Sequence, residues 1–245
     1  MIVDDLLAEA ESDLSQRRIA DVRIGLGYTA VLLDDGGCGL AGTLLGEAEH
    51  CCTVLADAGE LIGKPALEAA EYALSCDPVA SSVAFATLNA TLNRNGEPGP
   101  SPFEVLPVCG AEVGMVGYFG PFISELRGRC KALHIFERRP LSPHVLPDWA
   151  AERMLPACDV VLITSLALIN NTLDHLLQLA HGEVALLGPS TPLSQTFSQY
   201  GVSHLFGTVV TDPEAILTTV SQAGGTQRFK GAARKVYLPL KKDDR

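Results

Sequence analysis

The sequence predicts an α/β fold in which a small α+β domain precedes a doubly wound parallel sheet. Three observations carry this reading. Residues 94–110, RNGEPGPSPFEVLPVCG, are dense in proline and glycine and cannot continue a helix or an interior strand. After them, short Val/Ile/Leu-rich runs alternate with helical patterns, the rhythm of βα units. Before them, β-branched runs break at Asp34-Asp35-Gly36-Gly37, the turn chemistry of a hairpin. The expected organisation is a first domain over 1–94, a linker over 95–111 and a second domain over 112–245.

In chain order, residues 2–18 read as an amphipathic helix, acidic in its early turns and ending near Arg17 and Arg18, as the helix dipole favours. VRIGLGYTAVLLDDGGCGLAGTL supplies the hairpin strands. Helices follow over 65–75, with Leu67, Ala70 and Leu74 on one face, and over 78–93, with Val79, Val83, Ala86 and Ala90 on one face. Beyond the linker, strands are expected at 112–119, 132–137, 159–164, 183–188 and 203–210. Helices are expected between and after them at 121–130, 148–155, 172–181, 192–200 and 212–222. The basic end, from Arg228 onward, reads as a solvated last strand and tail that could meet an acidic surface of a second subunit, the one pointer to a homo-oligomer.

Composition sets limits on function. With 245 residues, 47% of them hydrophobic and 19% charged, the chain can bury a real core, which excludes disorder. A formal net charge of −11 leaves no basic field for a phosphate backbone, so nucleic acid is not an expected partner. The opening MIVDDLLAEAESDL lacks the charge pattern of a targeting segment. The longest apolar run, 160–169, is about half the ~20 residues of a membrane span. A cytoplasmic protein with no membrane partner is expected. Seven cysteines without a CxxC pair read as buried small hydrophobes, with a thiolate metal site as the alternative. Six histidines form no HxxxH or HExxH, so no metal site is assigned; the only adjacent soft donors are His50, Cys51 and Cys52.

Candidate ligand positions cluster at expected strand ends, where doubly wound sheets bind small molecules. Gly117 lies in the glycine-rich turn after the first strand, with spacing that departs from GxGxxG because Phe119 and Phe122 stand where glycines belong. Glu137, twenty residues on, either contacts a ribose or other polyol or pairs with Arg138 or Arg139. Thr164 and Ser165 end the third strand, ahead of Asn170-Asn171-Thr172, where Asn171 fits an N-cap with Asp174 as its partner. Gly188-Pro189-Ser190-Thr191-Pro192 suggests a helix start, with Thr191 as N-cap, Pro192 as first helical residue and free N–H groups for an anion. Asn89 lies inside a helix, where it either faces solvent or faces the sheet edge. Glu104, Glu112 and Glu137 are the nearest titratable candidates. No Ser-His-Asp or GxSxG signature names a nucleophile or general base.

The stretches VGMVGYFGPF, HIFERRP, CDVVLITSLALINNTLDHLL and LLGPSTPL, preceded by VRIGLGYTAVLL, CGLAGTL and TLNATLN, resemble the uncharacterised heavy-metal chelation family of bacteria and archaea. The resemblance covers nearly the whole chain. It implies an enolase N-terminal-like α+β domain followed by a Rossmann-like domain, with a site in the cleft between them. The implied chemistry is condensation or hydrolysis in flavin, pterin or metallophore metabolism linked to metal homeostasis. A non-catalytic binding protein for a metal chelate or nucleotide-like ligand is the alternative. It also implies site roles for Asn89, Gly117, Tyr118, Glu137, Asn170, Thr172 and residues Gly188, Pro189, Ser190 and Thr191. The expected ligand is a small molecule, anionic or metal-chelating; no cofactor is assigned.

Overall fold

The structure is a computed structural model that describes residues 1–47, 54–139 and 142–241. A three-stranded antiparallel sheet comes first, β1 (Ile19–Ile24), β2 (Tyr28–Leu33) and β3 (Cys38–Gly42), in spatial order β1-β2-β3. The Asp34–Gly37 turn joins β2 to β3, with Gly36 at φ 87°, a conformation that glycine adopts without strain. Helices α1 (Ile2–Leu14), α2 (Ala66–Ala70), which runs on as a 3₁₀ turn over Glu71–Leu74, and α3 (Pro78–Leu92) accompany the sheet. Asp77 caps α3 by accepting the N–H groups of Val79 and Ala80, and Pro78 occupies the first turn, where no N–H is needed. Every residue from Val79 to Ala90 is buried, so α3 is a core helix without a wet face. Its backbone lies so close to β3 that a Cβ on Gly39 would sit 2.1 Å from the Ala86 carbonyl oxygen.

The chain passes through α4 (Pro102–Val105) into a seven-stranded sheet of order β10-β9-β8-β7-β4-β5-β6. Its strands are β4 (Glu112–Val116), β5 (Ala132–Glu137), β6 (Val145–Pro147), β7 (Val160–Thr164), β8 (Glu183–Leu187), β9 (Val202–Val210) and β10 (Ala233–Pro239). All pairings are parallel except β10 on β9. From β4 the chain moves outward through β5 and β6, then returns to lay β7 on the other side of β4. The order therefore reverses between β4 and β7. Helices α5 (Gly120–Arg127), α6 (Ala151–Met154), α7 (Leu166–Ile169), α8 (Leu173–Leu179) and α9 (Pro213–Ser221) complete the chain.

Strand β7, VVLIT, is apolar at successive positions because both faces are covered. Val161 and Ile163 join a cluster that runs on through α1 and α3, whereas Val160 and Leu162 join a second cluster with Phe103, Met115 and Leu126. The first cluster makes the small sheet's helices and the large sheet one apolar core. Asn93, at the end of α3, pins this arrangement. Its Nδ2 donates to the carbonyls of Thr191 at 2.8 Å and Thr208 at 3.3 Å, and its Oδ1 accepts the Leu193 N–H at 2.7 Å.

Three expectations change. The first helix stops at Leu14, and Arg17 lies beyond it, paired with Asp35 at 2.9 Å. No α-helix spans 192–200: a 3₁₀ segment over Gln195–Tyr200 takes its place, capped by Ser194, because Asn93 has already drawn the preceding backbone into extended form. The 148–155 helix is a single α turn, α6, between 3₁₀ turns. Among the described residues no helix is long and apolar enough to cross a membrane.

Two stability predictions follow from these contacts. Replacing Asn93 with alanine strands buried carbonyl and N–H groups and is expected to cost about 2–3 kcal/mol, read from urea unfolding at constant slope. Burial raises the Asp35 pKa, but the Gly37 N–H and the Arg94 and Arg17 guanidiniums outweigh it and hold the pKa below the usual carboxylate value. A depressed folded-state pKa gives stability that is present above the unfolded-state pKa and is lost as pH falls through the folded value. Unfolding midpoints measured between about pH 2 and 6 should therefore fall less steeply toward acid in Asp35→Asn than in the parent.

Candidate functional site

A cleft of about 600 Å³ opens where the strand order reverses, above the carboxyl ends of β4, β5 and β7. Such switch points hold ligands because adjacent loops diverge there and leave a crevice. Its floor is Val116, Gly117, Phe136, Glu137 and Thr164. One wall comes from the small sheet, with Leu26 of the β1–β2 turn and residues Thr43 to Gly46 after β3. Opposite stand Trp149 and Glu152 around α6, and Asn170, Thr172 and His175 at α7 and α8.

Local chemistry shapes this lining. Gly117 has φ 98°, and a Cβ there would lie 2.9 Å from the Thr164 side chain, so the chain turns out of β4 against the neighbouring strand only as glycine. Glu137 accepts the Tyr118 N–H at 2.9 Å and thereby holds the glycine-rich turn against the end of β5. Of its two neighbours, Arg139 donates from Nη2 to the Gly46 carbonyl at 3.1 Å, across to the small-sheet wall, and Arg138 lies 3.8 Å from Asp148. Thr172 donates its hydroxyl to Asn170 Oδ1 at 2.7 Å. His175 Nε2 meets Glu152 Oε1 at 2.5 Å, a contact between α8 and α6 at the rim.

Gly117, Glu137, Thr164, Asn170 and Thr172 thus line one cleft, and Tyr118 stands beside it, partly exposed. Asn89 and residues Gly188 to Thr191 do not line it. Asn89 is buried, not solvent-facing: its Nδ2 donates to Leu40 O at 2.8 Å and reaches Pro189 O at 3.5 Å, while its Oδ1 is buried without a partner. Ser190 Oγ accepts the Gly42 N–H at 2.8 Å, and Thr191 is fully buried. The expected helix N-terminus at Thr191-Pro192 is absent, since the Thr191 N–H turns back to Gly188 O at 3.1 Å and the hydroxyls face protein. The helix start that was expected to present its N–H groups to an anion is therefore not formed. Nor does Asn171 cap α8. It takes left-handed φ 56°, Thr172 occupies the cap position with its hydroxyl turned to Asn170 rather than to a helix N–H, and Asp174 accepts the Ile2 N–H at 3.2 Å.

Sequence reasoning missed Trp149, Glu152, His175 and Arg139 as cleft residues. One signal was available: His175 follows Thr172 by three positions, the spacing that puts two residues on the same face of a helix.

The donor set does not suit a resident metal. Among the described residues no three His, Cys, Asp or Glu side chains gather to hold an ion. The cleft carboxylates are already engaged, Glu137 by the Tyr118 N–H, Glu152 by His175 and Asp148 by the Trp149 N–H. Burial raises the Cys38 thiol to about 12 and the Cys158 thiol to about 11, which disfavours the thiolate a soft metal needs. His50, Cys51 and Cys52 lie outside the described residues.

Comparison with known proteins adds ancestry. A family model described as "Putative heavy-metal chelation" matches residues 101–239, and a second with the same description matches 7–92. An uncharacterized protein of Methanocaldococcus jannaschii is 29% identical over 96% of this chain and 94% of its own length. A crystal structure of a protein of unknown function from Desulfitobacterium hafniense shares 25% identity and a TM-score of 0.82, covering 96% of this chain and 99% of that one. Another, from Pyrococcus horikoshii, gives 21% identity and a TM-score of 0.82 over 98% and 100% of the two chains, a likeness of fold.

Gly117→Ala is expected to lower the thermal midpoint, because its φ costs a side-chain-bearing residue about 1–3 kcal/mol. A midpoint unchanged from the parent in a thermal melt would contradict the close packing of β4 on Thr164.

Proposed function

This chain belongs to the heavy-metal chelation family, and we propose that it is a small-molecule enzyme acting on an anionic or metal-chelating ligand in the cleft at the sheet's switch point. Condensation or hydrolysis within flavin, pterin or metallophore-related metabolism is the chemistry proposed. One observation carries the reading: the neutral hydrogen-bonding groups of Thr164, Asn170 and Thr172 share a cleft of about 600 Å³ with a titratable pair, His175–Glu152, and with Arg139. A pure binding protein has no need of such a pair among neutral contacts, whereas proton transfer does. The apolar lining from Leu26, Phe136, Trp149 and Leu176 suits the body of an organic ligand, with its polar groups at the strand ends.

Heavy metal enters this scheme as the ligand's complex. Amide and hydroxyl groups hold soft ions poorly, and a chelator that supplies its own donors needs only recognition of its organic frame. Metal is thus substrate or cargo.

Native mass spectrometry with metal analysis tests this on protein purified without chelator or affinity tag. The expected result is a retained small molecule, with zinc, copper, nickel, cobalt and iron each well under one equivalent unless that molecule carries them. Asn170→Ala combined with Thr172→Val should abolish retention while the far-ultraviolet spectrum stays unchanged. Stoichiometric metal with no organic partner, lost in a His50/Cys51/Cys52 triple alanine variant, would instead establish direct chelation.

A further inference from the structure

The geometry points to His175 as a general base, with Glu152 as its positioning residue, in the hydrolysis of an ester or amide of an anionic molecule. The inference rests on the cleft's being the binding site proposed above.

Among the described residues two His–Glu pairs form, and they differ at the second imidazole nitrogen. His204 Nε2 meets Glu183 at 2.5 Å, but its Nδ1 is also taken, by the Tyr237 hydroxyl at 2.8 Å. Both ring nitrogens are used, the histidine side chain is only 12% exposed, and the group lies near the amino ends of β8 and β9. That network is structural. His175 has the same carboxylate on Nε2, yet among the described residues nothing bonds its Nδ1. Its side chain is 55% exposed and lines the cleft beside Thr172. A carboxylate that accepts the Nε2 proton fixes the tautomer in which Nδ1 carries the lone pair, so the free nitrogen is the basic one. Stability does not demand this arrangement, because a half-exposed pair is worth about 0–1 kcal/mol at most.

The step balances without a co-reactant other than water. A water oxygen bonds to the acyl carbon of the ligand as its proton passes to His175 Nδ1. The imidazolium is stabilised by the Glu152 carboxylate. The bond from the acyl carbon to the leaving oxygen or nitrogen then breaks, and the proton moves from Nδ1 to that atom. Acid and alcohol or amine result, and nothing is oxidised or reduced. Arg139 supplies the positive charge for an anionic substrate. Among the described residues only one of its five N–H donors is spent, on the Gly46 carbonyl, and Arg139 lines the cleft.

The test uses the full chain with two chromogenic esters, 4-nitrophenyl acetate and the anionic 4-nitrophenyl hemisuccinate. Saturable turnover is expected, with a lower KM for the anion. His175→Asn should lower kcat about 100-fold, the low end of what general-base catalysis contributes. Glu152→Gln, which keeps a hydrogen bond but not the charge, should lower kcat about tenfold with KM unchanged, a split that a packing role would not produce. Arg139→Gln should erase the preference for the anion. His144→Asn, at an exposed histidine outside the cleft, is the control. Turnover no faster than buffer, or turnover indifferent to His175→Asn, overturns the base role, and equal KM for the two esters overturns the anionic class. Ligand retention by His175→Asn in native mass spectrometry reports separately on the cleft, so loss of the base role and loss of the binding site are told apart.

Discussion

The seam between α3 and the loop after β8 is the constraint on which the rest of the structure depends. Asn89 and Asn93 lie one helical turn apart, and both spend their amides on backbone carbonyls of other segments, where water cannot substitute. Asparagine is a poor helix former, at a cost of up to about 0.7 kcal/mol per residue. Each buried hydrogen bond returns about 1 kcal/mol net, and leaving its partner unpaired would cost more. Gly42 and Ser190 extend the same seam: the Gly42 N–H donates to Ser190 Oγ at 2.8 Å, and a Cβ on Gly42 would push against the end of the Leu166 side chain.

This seam sets the cleft. Residues Thr43 to Gly46 follow β3 directly, so wherever the seam holds β3, it also places one wall above the ends of β4 and β7. Thr43 is tied back in turn, its hydroxyl 2.9 Å from that of Thr29 and its N–H on the Gly27 carbonyl, which carries Leu26 along. Helix α1 anchors the far side, with Glu9 bonded to Ser194 and Thr196 and Asp5 to Tyr200. The small sheet therefore forms one wall of the crevice whose floor is the large sheet's edge, and an opening of the seam would remove that wall without disturbing either sheet.

The sequence made the architecture legible because strand and helix periods are local. The turn glycines, the apolar run of β7 and the DDGG hairpin each announce their element within a few residues, and Gly117, Glu137 and Thr164 stand at strand ends for the same reason. The seam was not legible. Two hydroxyls between two prolines have the same local chemistry whether they meet an anion or a backbone N–H, and the partner of Ser190 lies 148 residues away, on Gly42. Asn171 shows a related ambiguity, since the left-handed conformation that asparagine tolerates competes with its capping role. Glu152 and His175 are 23 residues apart on separate helices, and no short motif joins them.

The two His–Glu pairs show how one chemical unit acquires different meanings from its surroundings. At β8 and β9, Tyr237 stacks on Phe206 and closes off the second imidazole nitrogen, so the histidine is fixed between two partners and available to neither water nor ligand. At the cleft rim the same carboxylate–imidazole contact leaves one nitrogen to whatever enters. Sequence alone cannot separate the two, because burial and the third partner decide the outcome, and both are set by long-range packing. What distinguishes the cleft pair is its place at the switch point, where the fold supplies a crevice, neutral hydrogen-bonding groups and a guanidinium together. Proton transfer is the chemistry such a set can do unaided. Soft-metal ligation would need clustered thiolates or imidazoles, and among the described residues no three His, Cys, Asp or Glu side chains gather to hold an ion.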